Sequence, residues 1–166
     1  MKINTLNDLF LLKLKALYDV ESKLVKALPT MAKHASNAEL KDAFETHYQE
    51  TREHVVRLEK IFGMIGAKPS KTDVEGISGI IADAEWSIKQ KPSPAALDAL
   101  LIASARYAEH YEIAGYLTLI AWADLLGYSE AAEALEMTLD EERNADGVLS
   151  SAAEDKIDRL AMAAEE

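Results

Sequence analysis

The sequence predicts an all-α protein with four long helices and one shorter helix. Through four long segments, apolar residues recur at steps of three and four, which is the period of an amphipathic helix. The alternating pattern of β-strands bounded by turn residues is absent. The chain is 49% hydrophobic and 28% charged, as in a folded protein. We therefore expect a single helical domain over residues 1–166, with residues from about 154 to 166 as a C-terminal tail.

The first two long helices have recognisable beginnings and ends. The first helix runs from about Thr5 into the low thirties. The second begins near Ser36, where Ser36 and Glu39 have the spacing of a capping box. Gly66 ends it, because glycine readily adopts the left-handed conformation that follows many helices. This pair forms a predicted helical hairpin.

The second half of the chain repeats this arrangement after a connection. A shorter helix covers about residues 72–90 and carries the chain across to the third long helix. Ser93 is the predicted cap of that helix, and Pro94 occupies its first position. Gly127 ends it, and the fourth long helix begins around Ser129.

Acidic residues interrupt, or lie beside, the apolar stripes of the four long helices. Glu21, Glu50, Glu112 and Glu142 each fall in a different helix. A buried carboxylate without a partner is strongly unfavourable. Several such groups converging from four helices are hard to explain without cations between them. The leading hypothesis is therefore a carboxylate-rich metal centre.

Spacing within two of the helices strengthens this hypothesis. His54 follows Glu50 by one turn, and Asp146 follows Glu142 in the same way, so each pair shares a face and can reach one ion. An oxygen-rich site favours iron or manganese over copper or zinc. Two such ions could share a small oxygen ligand, which suits chemistry on peroxide or dioxygen. The predicted ligands of two divalent ions are Glu21 and Glu112 as terminal ligands, Glu50 and Glu142 as bridges, and His54 and Asp146.

Other interpretations of these residues stay open. Glu21 could pair with a lysine across the bundle, His54 could be a hydrogen-bonded core histidine, and Asp146 could be exposed. Some neighbouring side chains could replace a predicted ligand. These alternates are Glu53, Glu109, Glu141 and His47.

A weak internal repeat suggests how the helices are connected. Glu21 and Glu112 are 91 positions apart, and Glu50 and Glu142 are 92 apart. Chance can produce such matches in helical sequences rich in alanine, leucine and glutamate. A real repeat would make the chain two helical hairpins joined by a long crossover, which is the topology of a ferritin-like four-helix bundle.

Composition excludes several classes of function. The net charge of −11 argues against a nucleic-acid partner, and the absence of cysteine excludes disulfides, zinc–thiolate sites and iron–sulfur clusters. The N-terminal residues do not resemble a signal peptide. The longest apolar stretch, from Ile113 to Leu126, contains Asp124 and is too short to span a bilayer. We expect a cytoplasmic protein without a membrane partner.

Particular segments resemble a known family. The segments are NDLFLLKLKALYDVESKLVKALPTMAKHASNAELKDAF, HYQETREHVVRLEKIF, AEHYEIAGYLTLIAWADLLGYSEAAEAL and TLDEERNAD, of which AEHYEIAGY and TLDEE are the most specific. They resemble the bacterial YciF/YciE-type stress proteins, a ferritin-like family of unassigned biochemical function, over about Met1 to Leu149. The resemblance implies a ferritin-like bundle, a homodimer, and a role in stress response rather than iron storage in a cage.

More distant relatives of that family add an expectation about metal binding. Rubrerythrins and manganese catalases bind two metals between the same four helices, although this chain departs from their Glu-x-x-His pattern. We expect a protein with a dinuclear iron or manganese site that acts on peroxide or dioxygen. The alternative is a non-catalytic homodimeric stress or interaction protein whose metal site is structural or vestigial.

Overall fold

The computed structural model of the chain describes residues 3–163 and contains no β-strand within them. The prediction of an all-α protein is therefore confirmed. Over that same range, no helix combines the length and hydrophobicity that a bilayer crossing requires. The helices are α1 (Leu6–His34), α2 (Ala38–Met64), α3 (Glu75–Lys89), α4 (Pro94–Leu126), α5 (Ser129–Ala152), a π-helical turn (Ala153–Ile157) and α6 (Asp158–Ala163).

The ends of α4 agree with the prediction. The Ser93 side chain accepts a hydrogen bond from the backbone N–H of Ala96, and Pro94 occupies the first turn, where its missing N–H costs nothing. Gly127 ends the helix with a φ of 72°, in the left-handed region that favours glycine.

The start of α2 differs from the prediction. Its N-cap is Asn37, whose side chain accepts a hydrogen bond from the N–H of Leu40 at 3.1 Å, so the predicted capping box beginning at Ser36 is wrong. Ser36 is held instead by the buried Asp98 of α4. That carboxylate accepts the backbone N–H of Ser36 at 2.8 Å, its hydroxyl at 2.6 Å, and the N–H of Asn37 at 2.9 Å. A carboxylate far away in the sequence thus fixes the turn between α1 and α2.

The four long helices enclose two apolar cores with a polar layer between them. Helix α1 lies against α2 and α4, while α5 lies against the same two helices from the other side. The crossover helix α3 packs outside this group, on α1 and α4. Large buried side chains at one end include Phe10, Leu58 and Leu135, and those at the other end include Leu40, Phe44 and Leu101. The candidate site occupies the layer between the two cores.

Candidate metal centre

Two groups of buried side chains meet in the middle of the four long helices. The ligand atoms within each group lie within 4.8 Å of one another. Glu142 belongs to both groups, which makes them one continuous histidine–glutamate cluster. The first group is Glu21, His54 and Glu142, and the second is His47, Glu109, Glu112 and Glu142.

Glu142 lies between the two imidazole rings of the cluster. Its Oε1 is 3.0 Å from Nδ1 of His54, and its Oε2 is 3.7 Å from Nε2 of His47. Glu21 approaches the same nitrogen of His54 at 3.5 Å, and Glu109 approaches Nε2 of His47 at 3.1 Å. Each histidine therefore presents one ring nitrogen to carboxylates inside the cluster.

The other nitrogen of each ring faces a glutamate outside the cluster. Nε2 of His54 lies 2.9 Å from the Glu141 carboxylate, which Arg57 holds at 2.7 Å. Nδ1 of His47 lies 3.4 Å from Glu50. If a cation were bound, a carboxylate on the outer nitrogen would keep a proton there and leave the inner nitrogen as a lone-pair donor, as in many metal sites.

The cluster contains buried polar atoms without partners. Seven buried side-chain atoms in the described part of the chain lack a hydrogen-bond partner, and all seven belong to cluster residues. Both oxygens of Glu112 and both oxygens of Glu142 are among them. Leaving a buried polar atom unsatisfied is costly, and a ligand of opposite charge in this layer would offset that cost. The donor set therefore fits cations.

Without cations, the cluster holds protons. Burial raises the pKa of Glu21 and of Glu112, and it raises the pKa of Glu142 to about 7. Burial acts in the opposite direction on His54, but contacts with Glu142 and Glu21 outweigh it and raise the pKa of that imidazole to about 10.

Tyr116 lies beside the cluster on α4. Its fully buried hydroxyl donates a hydrogen bond to Oε1 of Glu21. Burial raises the pKa of Tyr116 well above its ordinary value, so the side chain stays a phenol and remains a donor. The hydrogen bond orients the carboxylate of Glu21 and leaves its other oxygen without a partner.

The structure brings together four of the six predicted ligand residues and two of the four alternates. These residues are Glu21, His54, Glu112 and Glu142, with the alternates Glu109 and His47. A signal for His47 was present in the sequence. It precedes His54 by seven residues, which is nearly two whole turns, so both rings lie on one line of α2.

Glu50 does not converge with the cluster, which corrects its predicted position. It falls three residues after His47, about 60° around the helix from the line of the two histidines. About 32% of its side chain is exposed, and its carboxylate lies against the outer nitrogen of His47.

Asp146 also lies outside the cluster, contrary to expectation. Its carboxylate accepts a hydrogen bond from Nε of Arg106 at 2.8 Å and lies 3.5 Å from Nε2 of His110, so partners on α4 satisfy its charge. Of the remaining alternates, Glu53 is exposed and Glu141 is the outer partner of His54.

The helices and the cluster define the class of protein: an all-helical chain with a buried histidine–glutamate layer. The chain belongs to the family described as "Domain of unknown function (DUF892)", which it matches over residues 5–162. It is 34% identical to "Protein YciF" of Escherichia coli (strain K12) over 162 residues, which cover 97% of this chain and 98% of that relative.

Solved structures of relatives have the same fold. The crystal structure of the E. coli stress protein YciF matches with a TM-score of 0.88 and 35% identity, covering 91% of this chain and 96% of that one. YcfI from Rhodopseudomonas palustris also matches with a TM-score of 0.88, at 37% identity, covering 90% of this chain and 96% of the other. The chain is thus a homologue of a bacterial stress protein.

Proposed function

We propose that this chain is a ferritin-like stress-response protein that holds two divalent metal ions, iron or manganese, and acts on peroxide or dioxygen. The observation that carries the proposal is the sharing of Glu142 between two groups of ligand atoms. A residue common to two groups is suited to bridge two ions, and four helices contribute to the set. The proposal keeps the predicted chemistry but replaces Glu50 and Asp146 with Glu109 and His47 as ligands.

Charge balance supports two divalent ions. The cluster contains four glutamates, so four ionised carboxylates would carry four negative charges in a buried layer. Two divalent cations carry four positive charges and would neutralise them. Oxygen donors with one imidazole in each group suit iron or manganese.

Each ion would have its own ligands and one shared ligand. Glu21 and His54 would hold the first ion, His47, Glu109 and Glu112 would hold the second, and Glu142 would contact both. A bound pair of redox-active ions would supply electrons to an oxygen–oxygen bond.

The protein itself would contribute orientation and exclusion of water. Glu141, fixed by Arg57, holds the ring of His54, and Tyr116 holds the carboxylate of Glu21. The two apolar cores on either side of the layer limit the access of water. Ligands held in this way need little reorganisation when an ion enters.

Metal analysis of purified variants tests the proposal. The wild-type protein, purified without chelator and loaded with iron or manganese, should hold about two ions per chain. Glu142→Gln should lose both ions, whereas Glu50→Gln should retain them. Glu53→Gln on the exposed face of α2 is the matched control. Wild-type protein that takes up no ions, or equal losses in Glu142→Gln and Glu53→Gln, would contradict a metal site here. Peroxide turnover with and without metal then tests catalysis.

The alternative, a non-catalytic homodimeric protein with a structural or vestigial site, has its own supporting observation. Leu100, Tyr107 and Leu125 are exposed on α4, and Ala114 and Ala121 continue the same face at intervals of seven residues. A helix with apolar residues on its outer face suits contact with another helix, here α4 of a second copy. A homodimer that Leu125→Glu converts to a monomer, combined with no peroxide or dioxygen turnover in metal-loaded protein, would favour this alternative.

A further inference from the structure

A cavity of about 300 Å³ lies between α1, α3 and α4 and reaches the histidine–glutamate cluster. Its inner end includes His47 and Glu109, which belong to the second ligand group. Most of its wall is aliphatic and comes from the three helices. Representative wall residues are Leu28 and Met31 on α1, Ile81 and Ile88 on α3, and Ala105 and Ala108 on α4.

Small side chains maintain the cavity. Ala27, Ala84 and Ala105 face it from three different helices, where larger residues would fill the space. Protein interiors are close-packed and contain few voids larger than a water molecule. A space of this volume is at the lower end of the range for small-molecule sites. The crossover helix α3 supplies its outer wall, so the connection between the two hairpins also forms part of the cavity.

The rim of the cavity does not select an ionic ligand. Lys26 and Glu85 bring opposite charges to it, and both are exposed. Lys23 also lines the cavity, but Asp19 and Asp73 engage its ammonium group at 2.8 and 2.6 Å. The entrance therefore presents charges of both signs and does not concentrate one sign of charge. The walls and the rim together favour a neutral molecule with an apolar body.

The inner end of the cavity favours a hydroxyl-type group. Glu109 lines the cavity, and its Oε2 has no hydrogen-bond partner although it is buried. A hydroxyl or hydroperoxyl group reaching this point could donate a hydrogen bond to that oxygen.

We propose that this cavity binds a small neutral organic molecule, with its apolar body against the helices and a hydroxyl or hydroperoxyl end at His47 and Glu109. If the proposed function holds, the substrate class includes organic hydroperoxides in addition to hydrogen peroxide. The cavity would bring the oxygen end to the metal site and keep the hydrocarbon part out of water.

Calorimetric titration of the metal-free protein with cumyl alcohol tests the binding. This alcohol shares the carbon skeleton of cumene hydroperoxide but carries no peroxide. We expect one binding site per chain. Ala84→Leu, which fills the cavity from α3, should weaken binding at least tenfold, and Ala27→Leu should do the same from α1. Ala82→Leu makes the same change on the exposed side of α3 and should bind as the wild type does.

Circular dichroism and thermal unfolding establish that each variant is folded, and the wild-type titration does not depend on the variants. Absence of binding by the wild type up to the solubility limit of the alcohol would overturn the proposal. Equal weakening in Ala82→Leu and Ala84→Leu would also overturn it.

Failure of this proposal and failure of the metal site give different results. Two bound ions without alcohol binding would refute only the cavity proposal. Alcohol binding by a protein that takes up neither iron nor manganese would refute only the proposed function. In metal-loaded protein, Ala84→Leu should lower kcat/KM for cumene hydroperoxide at least tenfold and leave that for hydrogen peroxide unchanged. An equal loss of kcat/KM for both peroxides would contradict the proposed substrate class.

Discussion

Replacing Glu142 with glutamine should stabilise the metal-free protein and abolish the proposed metal site. The pKa of Glu142 is raised by burial from 4.5 to about 7. Because the folded chain binds this proton more tightly than the unfolded chain does, folding stability falls as the pH rises from about 4.5 through about 7. A shift of this size corresponds to roughly 3 kcal/mol. Glutamine carries no charge, so the variant avoids this penalty.

The stability gained by Glu142→Gln depends on pH, and this dependence identifies the ionisation of Glu142 as its cause. In the presence of chelator at about pH 8, Glu142→Gln should be more stable than wild type by up to roughly 3 kcal/mol. For a chain of this length, that corresponds to a rise in Tm of about 6–12 °C. Well below pH 4.5, where Glu142 is protonated in both states, the difference should vanish. Thermal unfolding followed by circular dichroism across this pH range measures both limits.

Glu141→Gln is the matched control because it makes the same change one position earlier. Burial acts to raise the pKa of Glu141, but Arg57 outweighs it and the pKa is lowered. The stability that this carboxylate contributes is present above its unfolded pKa and is lost as the pH falls. Glu141→Gln should therefore be less stable than wild type at about pH 8, the opposite of Glu142→Gln. If Glu142→Gln is no more stable than wild type in metal-free buffer at that pH, burial of the ionised Glu142 carboxylate does not destabilise the folded chain.

Three further predictions concern the ligands, their supports and the fold. Affinity for manganese should rise between about pH 6 and pH 8, because protons on Glu142 and His54 compete with the metal. Calorimetry in buffers of different ionisation enthalpy should detect the release of these protons. An affinity that does not depend on pH would contradict this prediction. Tyr116→Phe removes the hydrogen bond to Glu21 and should weaken metal binding about tenfold while the helix content is kept; unchanged affinity in equilibrium dialysis would show that the bond has no role. Asp98→Ala leaves the hydrogen-bond donors of the α1–α2 turn without their acceptor. In urea unfolding, the free energy of unfolding should fall by about 3 kcal/mol, while two ions per chain remain bound. A fall of less than about 1 kcal/mol would mean that water replaces the carboxylate.

Periodicity and capping chemistry were sufficient to predict the helices and several of their ends. The apolar stripes located the four long helices, and Ser93, Pro94 and Gly127 marked the limits of α4 as the structure has them. Local signals failed where a distant residue decides the outcome. The start of α2 depends on Asp98, which is about sixty positions away, and no local pattern reveals that contact.

The residues of the candidate site that could be predicted are those at which a polar side chain interrupts an apolar stripe. Glu21, Glu112 and Glu142 were identifiable because each replaces an apolar residue on the inward face of a helix. The positions of Glu50 and Asp146 depend on finer geometry. Glu50 lies at the edge of its stripe, and Asp146 has a partner on α4 that the sequence does not reveal.

Anomalous diffraction from crystals grown with manganese tests the central claim most directly. We predict two peaks per chain on either side of Glu142, one beside His54 and the other beside His47. No peak in this layer, or peaks only at exposed acidic residues such as Glu53, would contradict the proposal that the buried carboxylates hold a pair of ions.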